Sequence, residues 1–388
     1  MTARQYRLAE QTIDEHDLRD LTEWLQTNPW LSQQRLVAEF ERRWAAWLGM
    51  RHAVFVNSGS SANLLMFWTL LLSGRLRNRK VIVPAVCWPT TAAPAIQLGF
   101  EPILCEAEPR TLGVDPEQLE KLLRVHDPAA VAIVHVLGVP NEMDAIDALK
   151  ARFGFVLMED ACAAIGSQFD GRRAGTFGDV TTFSFFYGHQ LSTIEGGMIC
   201  TGDDHLHEIL LQVRSHGWPK DLPPEREARL AAQHGTPAFN RPFTFHHPGF
   251  NVRSTEVNAR IGLSQLERLD AALARRVENH RLYQARFSDQ RAFACQTNER
   301  ATVSSIAFGV LAESAEHRDA VAQRLRAAAI ETRPIGAGNL SRQPMWAERY
   351  GITPLAVADR VYNTGFQLPN HPRLSADDVH FICDTVLK

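Results

Sequence analysis

Lysine is scarce. The 388 residues hold five, Lys80, Lys121, Lys150, Lys220 and Lys388. Lys80 precedes a strand-like run, Lys121 and Lys150 fall in amphipathic helical stretches, and Lys388 is the last residue. Only Lys220 lies in an irregular segment from which it could swing into a site. Chemistry that bonds a cofactor to lysine is therefore poorly provided for. Close cysteine pairs are missing too. Cys87, Cys105, Cys162, Cys200, Cys295 and Cys383 show no C-x-C or C-x-x-C spacing. This argues against a zinc knuckle or a compact iron–sulfur ligand run and leaves small thiols, packed in the core or lying on the surface. No metal is expected. No apolar run approaches the ~20 residues that span a bilayer. Met1–Tyr6 lacks the apolar centre of a signal peptide, so a cytoplasmic protein is expected. The net charge of −3 predicts no broad attraction to nucleic acid or membrane.

What remains is ordinary globular material, 45% hydrophobic and 22% charged, long enough for two to three domains. Thr12–Glu15 has the form of a capping box opening a helix through Gln26. Ser32 starts a second helix, with Leu36, Phe40, Trp44 and Leu48 on one stripe. Strand-like runs at Ala53–Val56, Val81–Val86, Pro102–Cys105, Val131–Val136 and Phe155–Met158 then alternate with helical ones. That pattern predicts a sheet, largely parallel, covered on both faces. Lys220–Phe245 reads as an irregular excursion or lid. Ser254–Phe287 reads as a long helix joining two domains. Ser305–Leu311, Arg318–Ala329, Glu331–Ile335 and Ser375–Leu387 alternate again in a smaller C-terminal unit.

The chain is organised around Phe183–Ile199. An apolar run leads to a turn at Gly188 and His189, then to Glu195-Gly196-Gly197 and a second apolar run. A hydroxyl, Ser184, and a titratable ring, His189, flank this turn, as at a catalytic loop closing a buried sheet. Ser58-Gly59-Ser60-Ser61 joins a strand to a helix, where main-chain N–H groups and the helix dipole favour an anion. Glu159-Asp160 ends another strand and faces the crevice in which such sheets bind ligands; capping the next helix is the plainer alternative for Asp160.

These segments, with Trp88 in Val86-Cys87-Trp88-Pro89-Thr90 and with Pro248-Gly249-Phe250-Asn251-Val252-Arg253, stand in the order found in a known family. The chain resembles the DegT/DnrJ/EryC1/StrS sugar aminotransferases, which use pyridoxal phosphate. The resemblance implies a type I, aspartate-aminotransferase-like fold: a large, mostly parallel α/β/α domain over residues 1–250, then a long linking helix and a small C-terminal α/β domain over 251–388. It implies that Ser58, Gly59, Ser60 and Ser184 hold the cofactor phosphate, that Trp88 stacks on the ring and that Asp160 keeps its nitrogen protonated. Asn251 would reach the phosphate of a neighbouring subunit, making a homodimer with shared sites. His216, Arg253 and Arg333 are candidates for holding substrate.

The family's cofactor-bonding lysine is replaced here by His189. Histidine cannot take over that bond but remains a general base near neutral pH. The resemblance then narrows to lysine-less 3-dehydratases of nucleotide-linked 4-keto-6-deoxy sugars, with GDP-4-keto-6-deoxymannose as the expected substrate. It implies pyridoxamine phosphate made with L-glutamate, His189 as the base, release of ammonia and a role in O-antigen deoxysugar synthesis. Ala163 departs from the pattern, since related dehydratases carry an acid there and aminotransferases usually glutamine. Two alternatives stay open. One is a catalytically silent protein of the same fold that binds a sugar nucleotide; the other is an iron–sulfur-dependent dehydratase of a CDP-linked ketohexulose, which needs the missing cysteine pair.

Overall fold

The alternation of short apolar runs with amphipathic ones is realised along the chain in a computed structural model described for residues 4–388. Met1–Ala3, the start of the stretch read above as lacking a leader, lie outside the described residues. The strands are β1 (His52–Val56), β2 (Lys80–Pro84), β3 (Glu101–Cys105), β4 (Ala130–Val134), β5 (Val156–Asp160), β6 (Gln168–Phe169), β7 (Arg172–Arg173), β8 (Val180–Ser184), β9 (Gly197–Thr201), β10 (Phe293–Cys295), β11 (Ala301–Thr302), β12 (Ala307–Ala312) and β13 (Gly365–Pro369). The central sheet has the order β1-β9-β8-β5-β4-β2-β3. Its pairings are parallel except those of β9, which runs antiparallel to both β8 and β1. Hence β1, β2, β5 and β8 point the same way. Their carboxyl ends share the edge at which ligands bind in open α/β sheets.

Successive side chains of a strand face opposite ways, so strands apolar at every position feed two cores. Val81 and Val83 pack on one face, with Leu65, Met66 and Leu70 of the helix Gly59–Leu72. Ile82, Val131 and Ile133 pack on the other, with Leu119 and Leu123 of Pro116–His126 and with Ile146 and Leu149 of Met143–Phe153. Each such side chain contributes about 1.5–3 kcal/mol on burial, which holds a helix layer on each face. The stripe Leu36, Phe40, Trp44 and Leu48 is buried as expected, in a third cluster with Phe55, Phe183 and Phe185. Glu256–Phe287 is one long helix. Its first half joins that cluster through Leu263, Leu266 and Leu269. Its far end, Tyr283 and Phe287, enters a separate core with Phe308, Val310 and Leu368 of the antiparallel sheet β10-β12-β13.

Several local expectations change. The first helix, Glu15–Leu25, is capped by Asp14 with Asp17 completing the box, rather than by Thr12 with Glu15. An ionised acceptor one position from the helix outcompetes a hydroxyl further away. The second helix starts at Arg35, not Ser32, because its free N–H groups are taken by a distant residue. Gln34, Leu36 and Val37 all donate to the Glu256 carboxylate at 2.9 Å. Lys220–Phe245 is not wholly irregular: it contains the helix Pro224–Gln233, whose Arg226 and Arg229 pair with Glu208 at 3.0 Å. Glu331–Ile335 is no strand. After Ile330 bridges Tyr6, the chain turns through Gly336 and bonds the Cys87 carbonyl from Ala337 N–H at 2.9 Å.

Candidate active site

The turn Ser58–Ser60 sits where β1 ends and the helix Gly59–Leu72 begins. Ser58 caps that helix, its hydroxyl oxygen accepting from Ser61 N–H at 3.0 Å. Two glycines let three backbones converge there. A Cβ on Gly59 would stand 2.5 Å from Cβ of Ser184, and one on Gly197 would strike the Ser58 carbonyl. The last residue of β8 and the first of β9 are thereby drawn onto the helix N-terminus. Ser184 is buried and Ser60 exposed. The result is a cradle of hydroxyls and helix N–H groups, suited to an anion.

Glu159 and Asp160, adjacent on β5, are separated by the strand's alternation. Glu159 turns away from the helix Gly59–Leu72. Its carboxylate accepts from Phe177 N–H at 2.9 Å, Gly178 N–H at 2.7 Å and the His135 ring at 2.8 Å. Burial acts to raise its pKa, but these bonds outweigh burial and hold it below the usual carboxylate value. Asp160, 3% exposed, turns the other way. Its carboxylate accepts from Asn63 Nδ2 at 2.9 Å, Thr91 Oγ1 at 2.7 Å and Cys162 N–H at 3.1 Å. Thr182 Oγ1 in turn donates to Asn63 Oδ1 at 2.6 Å. Asp160 is therefore a fixed acceptor held by a satisfied shell, rather than a helix cap. Cys162 lies beside it, and burial followed by the Asp160 charge pushes its thiol pKa well up.

His189 lies in the turn between β8 and β9. It is partly exposed, but its Nδ1 is buried with no hydrogen-bond partner. Burial pushes its pKa down to about 4; the Phe186 carbonyl and Asp160 pull it up, while Arg276 and Arg333 push it further down. The turn follows β8, which pairs with β5, and Gln190 Nε2 donates to the Ala163 carbonyl at 2.7 Å, so His189 stands by the loop that leaves Asp160. Arg333 is exposed, its Nε donating to Gln367 Oε1 at 3.4 Å. Trp88 is 61% exposed at the start of the helix Pro89–Gln97, one turn from Thr91 and so from Asp160. An indole with an open face at this edge is available for stacking.

The remaining candidates lie at the next edge. Asn57 N–H donates to the Val252 carbonyl at 2.9 Å, and Arg253 bridges Val56, so this segment borders the Ser58 turn. Asn251 is exposed and accepts from Arg253 Nε at 3.1 Å. His216 has a left-handed backbone, φ 62°, with its ring 5.2 Å from that of Trp218. Among the described residues, none of these three side chains hydrogen-bonds Ser58, Ser184, Asp160 or His189.

Asn63, Thr91 and Gln190 belong to the site, though the sequence assigns none of them a role there; Thr91 enters only as part of the Thr90-Thr91 pair that follows Trp88. Asn63 carried a signal, a polar residue inside the apolar run Ala62–Leu72. Two lysines are engaged elsewhere, Lys80 donating to the His126 carbonyl at 3.2 Å and Lys150 pairing with Asp179 at 2.9 Å; Lys121, Lys220 and Lys388 are exposed. Among the described residues the one cluster with metal-ligand spacing is Asp14, His16 and Asp17; it contains no cysteine, and Arg268 neutralises it.

This arrangement has close relatives. The chain is 34% identical over 341 residues to a GDP-4-keto-6-deoxy-D-mannose 3-dehydratase of Yersinia pseudotuberculosis, covering 86% of this chain and 85% of that protein. It is 33% identical to the enzyme of the same name from Escherichia coli O55:H7, covering 97% and 98%. A solved structure of GDP-4-keto-6-deoxymannose-3-dehydratase with a trapped PLP-glutamate geminal diamine superposes with a TM-score of 0.89 at 30% identity, over 98% of this chain and 100% of that one. The DegT/DnrJ/EryC1/StrS aminotransferase family model matches residues 11–387. With the sheet order, the cradle at Ser58 and the Asp160 shell, these matches mean that the chain belongs to the DegT/DnrJ/EryC1/StrS aminotransferase family.

Proposed function

We propose that the protein is a 3-dehydratase that removes the C3 hydroxyl of a nucleotide-linked 4-keto-6-deoxy sugar, GDP-4-keto-6-deoxymannose. It would use pyridoxamine phosphate formed from pyridoxal phosphate and glutamate. The observation that carries this reading is His189, an unpartnered base in the turn where the family keeps lysine.

The residues present fit such a cofactor. Ser60, Ser184 and the Gly59 N–H offer donors for a phosphate, Ser58 would join them by turning its hydroxyl from Ser61 Oγ, and a side chain at Gly59 or Gly197 would close the cradle. Asp160 offers a fixed carboxylate for a protonated ring nitrogen, and Trp88 an open ring face. When bound, the cofactor supplies an electron sink beside the substrate's C4 ketone. His189 does the proton work. With its pKa near 4 the ring is neutral at physiological pH, so a nitrogen lone pair accepts a proton and can return it to the departing C3 oxygen. The turn after β8 carries His189 and no lysine, which would leave a cofactor amine free to engage the sugar. Arg333, together with Arg253 and His216 on the Ser58 edge, would hold the sugar nucleotide. Asn251 would complete the phosphate site of a partner subunit in a homodimer, which agrees with its exposure and its lack of a bond to its own cradle.

The test is turnover. The protein with cofactor and glutamate is offered GDP-, dTDP-, CDP- and UDP-linked 4-keto-6-deoxy sugars. The expected products with the GDP sugar are a sugar lighter by one oxygen, ammonia and 2-oxoglutarate in equal amounts. An amino sugar without free ammonia would mean transamination; no product from any sugar would mean a silent binding protein.

A further inference from the structure

The His189 turn is tied down at its base and exposed at its tip. Phe185 N–H bonds the Gly196 carbonyl and Thr193 N–H bonds the Phe185 carbonyl, both at 2.9 Å. Between them, Phe186 and Tyr187 are exposed, and His189 N–H reaches only the Phe186 carbonyl, at 2.9 Å. The residue after the histidine is different. Gln190 is 1% exposed, and its Nε2 donates to the Ala163 carbonyl at 2.7 Å and to the Ser304 carbonyl at 2.9 Å.

Those two carbonyls belong to separate parts of the chain. Ala163 lies in the loop that leaves Asp160, where Cys162 N–H already bonds the Asp160 carboxylate. Ser304 lies on the approach to β12 and is itself fixed, its N–H donating to Ser167 Oγ at 3.0 Å and its hydroxyl to the Ile165 carbonyl at 2.5 Å. One amide therefore joins the turn carrying His189, the loop carrying Asp160 and the C-terminal segment. A histidine ring is usually oriented by a hydrogen bond from its second nitrogen. His189 has no well-formed one: Nδ1 is buried and unpartnered, and the group acting on the ring is the Phe186 carbonyl of its own turn. Its orientation must come from the backbone, and the nearest fixed point of that backbone is Gln190.

We infer that Gln190 is a positioning residue whose clamp on the Ala163 and Ser304 carbonyls sets the place of the His189 imidazole relative to Asp160. This rests on the reading of His189 as the base, so the test has one arm independent of turnover.

In that arm, side-chain histidine NMR follows the His189 ring in cofactor-free protein, with the signal identified by its absence in His189→Asn. Gln190→Leu keeps the bulk of the side chain but donates to neither carbonyl. The charged groups acting on His189, namely Asp160, Arg276 and Arg333, are untouched. The ring signal should shift and its titration move up towards the ordinary value of about 6.5 as the ring swings into water. Ser167→Ala loosens Ser304 without removing the clamp; it should lower stability while leaving the His189 signal in place. Gln190→Glu, which sets an acceptor against two carbonyl oxygens, should reproduce the shift if the leucine variant folds poorly. In turnover, kcat should fall about 10²-fold, as for a catalytic group displaced by roughly 1 Å, with little change in KM for the sugar. A wild-type His189 signal and kcat in both Gln190 variants, with His189→Asn inactive, overturns the clamp alone. Turnover that survives His189→Asn overturns the base reading instead, and the ring shift still decides the clamp.

Discussion

His189→Asn should lower dehydration by ~10²–10⁴-fold, the usual cost of losing a general base, while cofactor binding is retained. Asparagine fills similar space and can hydrogen-bond, but it cannot take up the proton. The anion cradle and the Asp160 shell do not use His189, so the cofactor's absorbance titration should be little changed. The acid limb of kcat/KM should report the same residue. Burial penalises the imidazolium, so the wild-type limb should lie below the ordinary histidine value of about 6.5, with activity lost only as pH falls through that lowered pKa. The asparagine variant should lose this limb. Unchanged turnover in His189→Asn would remove the residue from the mechanism and direct the search for the base to His216.

The second large effect concerns stability. Arg214, 1% exposed, joins three pieces of the chain. Its Nη1 donates to the Glu41 carboxylate and, at 3.1 Å, to the Phe55 carbonyl; its Nη2 pairs with Asp221 at 2.7 Å. Burial already raises the pKa of Glu41, and Arg214 is the cation that opposes this. Arg214→Met strands that carboxylate in the interior. Breaking a buried pair from one side typically costs ~3–5 kcal/mol, so the urea midpoint should fall accordingly. Glu41→Gln added to Arg214→Met should recover part of the loss, because no unpaired charge then stays buried. Asp221, partly exposed, can turn to water. A midpoint shift worth less than about 1 kcal/mol, the range of an exposed pair, would show that the network does not carry this load. Asp221 lies between His216 and the helix Pro224–Gln233, so the same variant should also loosen that excursion.

What the sequence made legible was local and chemical. Ser184 and Asp160 end strands and Gly59 opens a helix, places where residue type and spacing point to a site before any packing is known. The paired acids show the limit. Glu159-Asp160 is two carboxylates in sequence, and only the alternation of β5 between the His135 side and the Asn63 side separates their tasks. Features set by distant partners were not legible. The start of the second helix depends on Glu256, more than two hundred residues away. The direction of β9 could not be read either, because a short apolar run such as Gly197–Thr201 has no polarity of its own; the hairpin through His189 decides it. The helix Pro224–Gln233 was hidden by charge. It fully buries only Ala231, packs Leu230 partly on the core and sets Arg226 and Arg229 against Glu208, too narrow an apolar stripe to stand out in the sequence. Gln190 was invisible for a related reason, since its partners are main-chain carbonyls and carry no signature in sequence.

The central claim is that His189 has replaced the bonding lysine and that no other lysine serves in its place. Borohydride reduction of the pyridoxal phosphate-loaded protein, followed by intact-mass measurement, tests it most directly. The wild-type chain should return at its unmodified mass, with the cofactor reduced free in solution. His189→Lys should gain one phosphopyridoxyl group under the same conditions, proving that the reagent reaches the site. A stoichiometric phosphopyridoxyl adduct on the wild-type chain, at Lys220 or any other of the five lysines, would contradict the account.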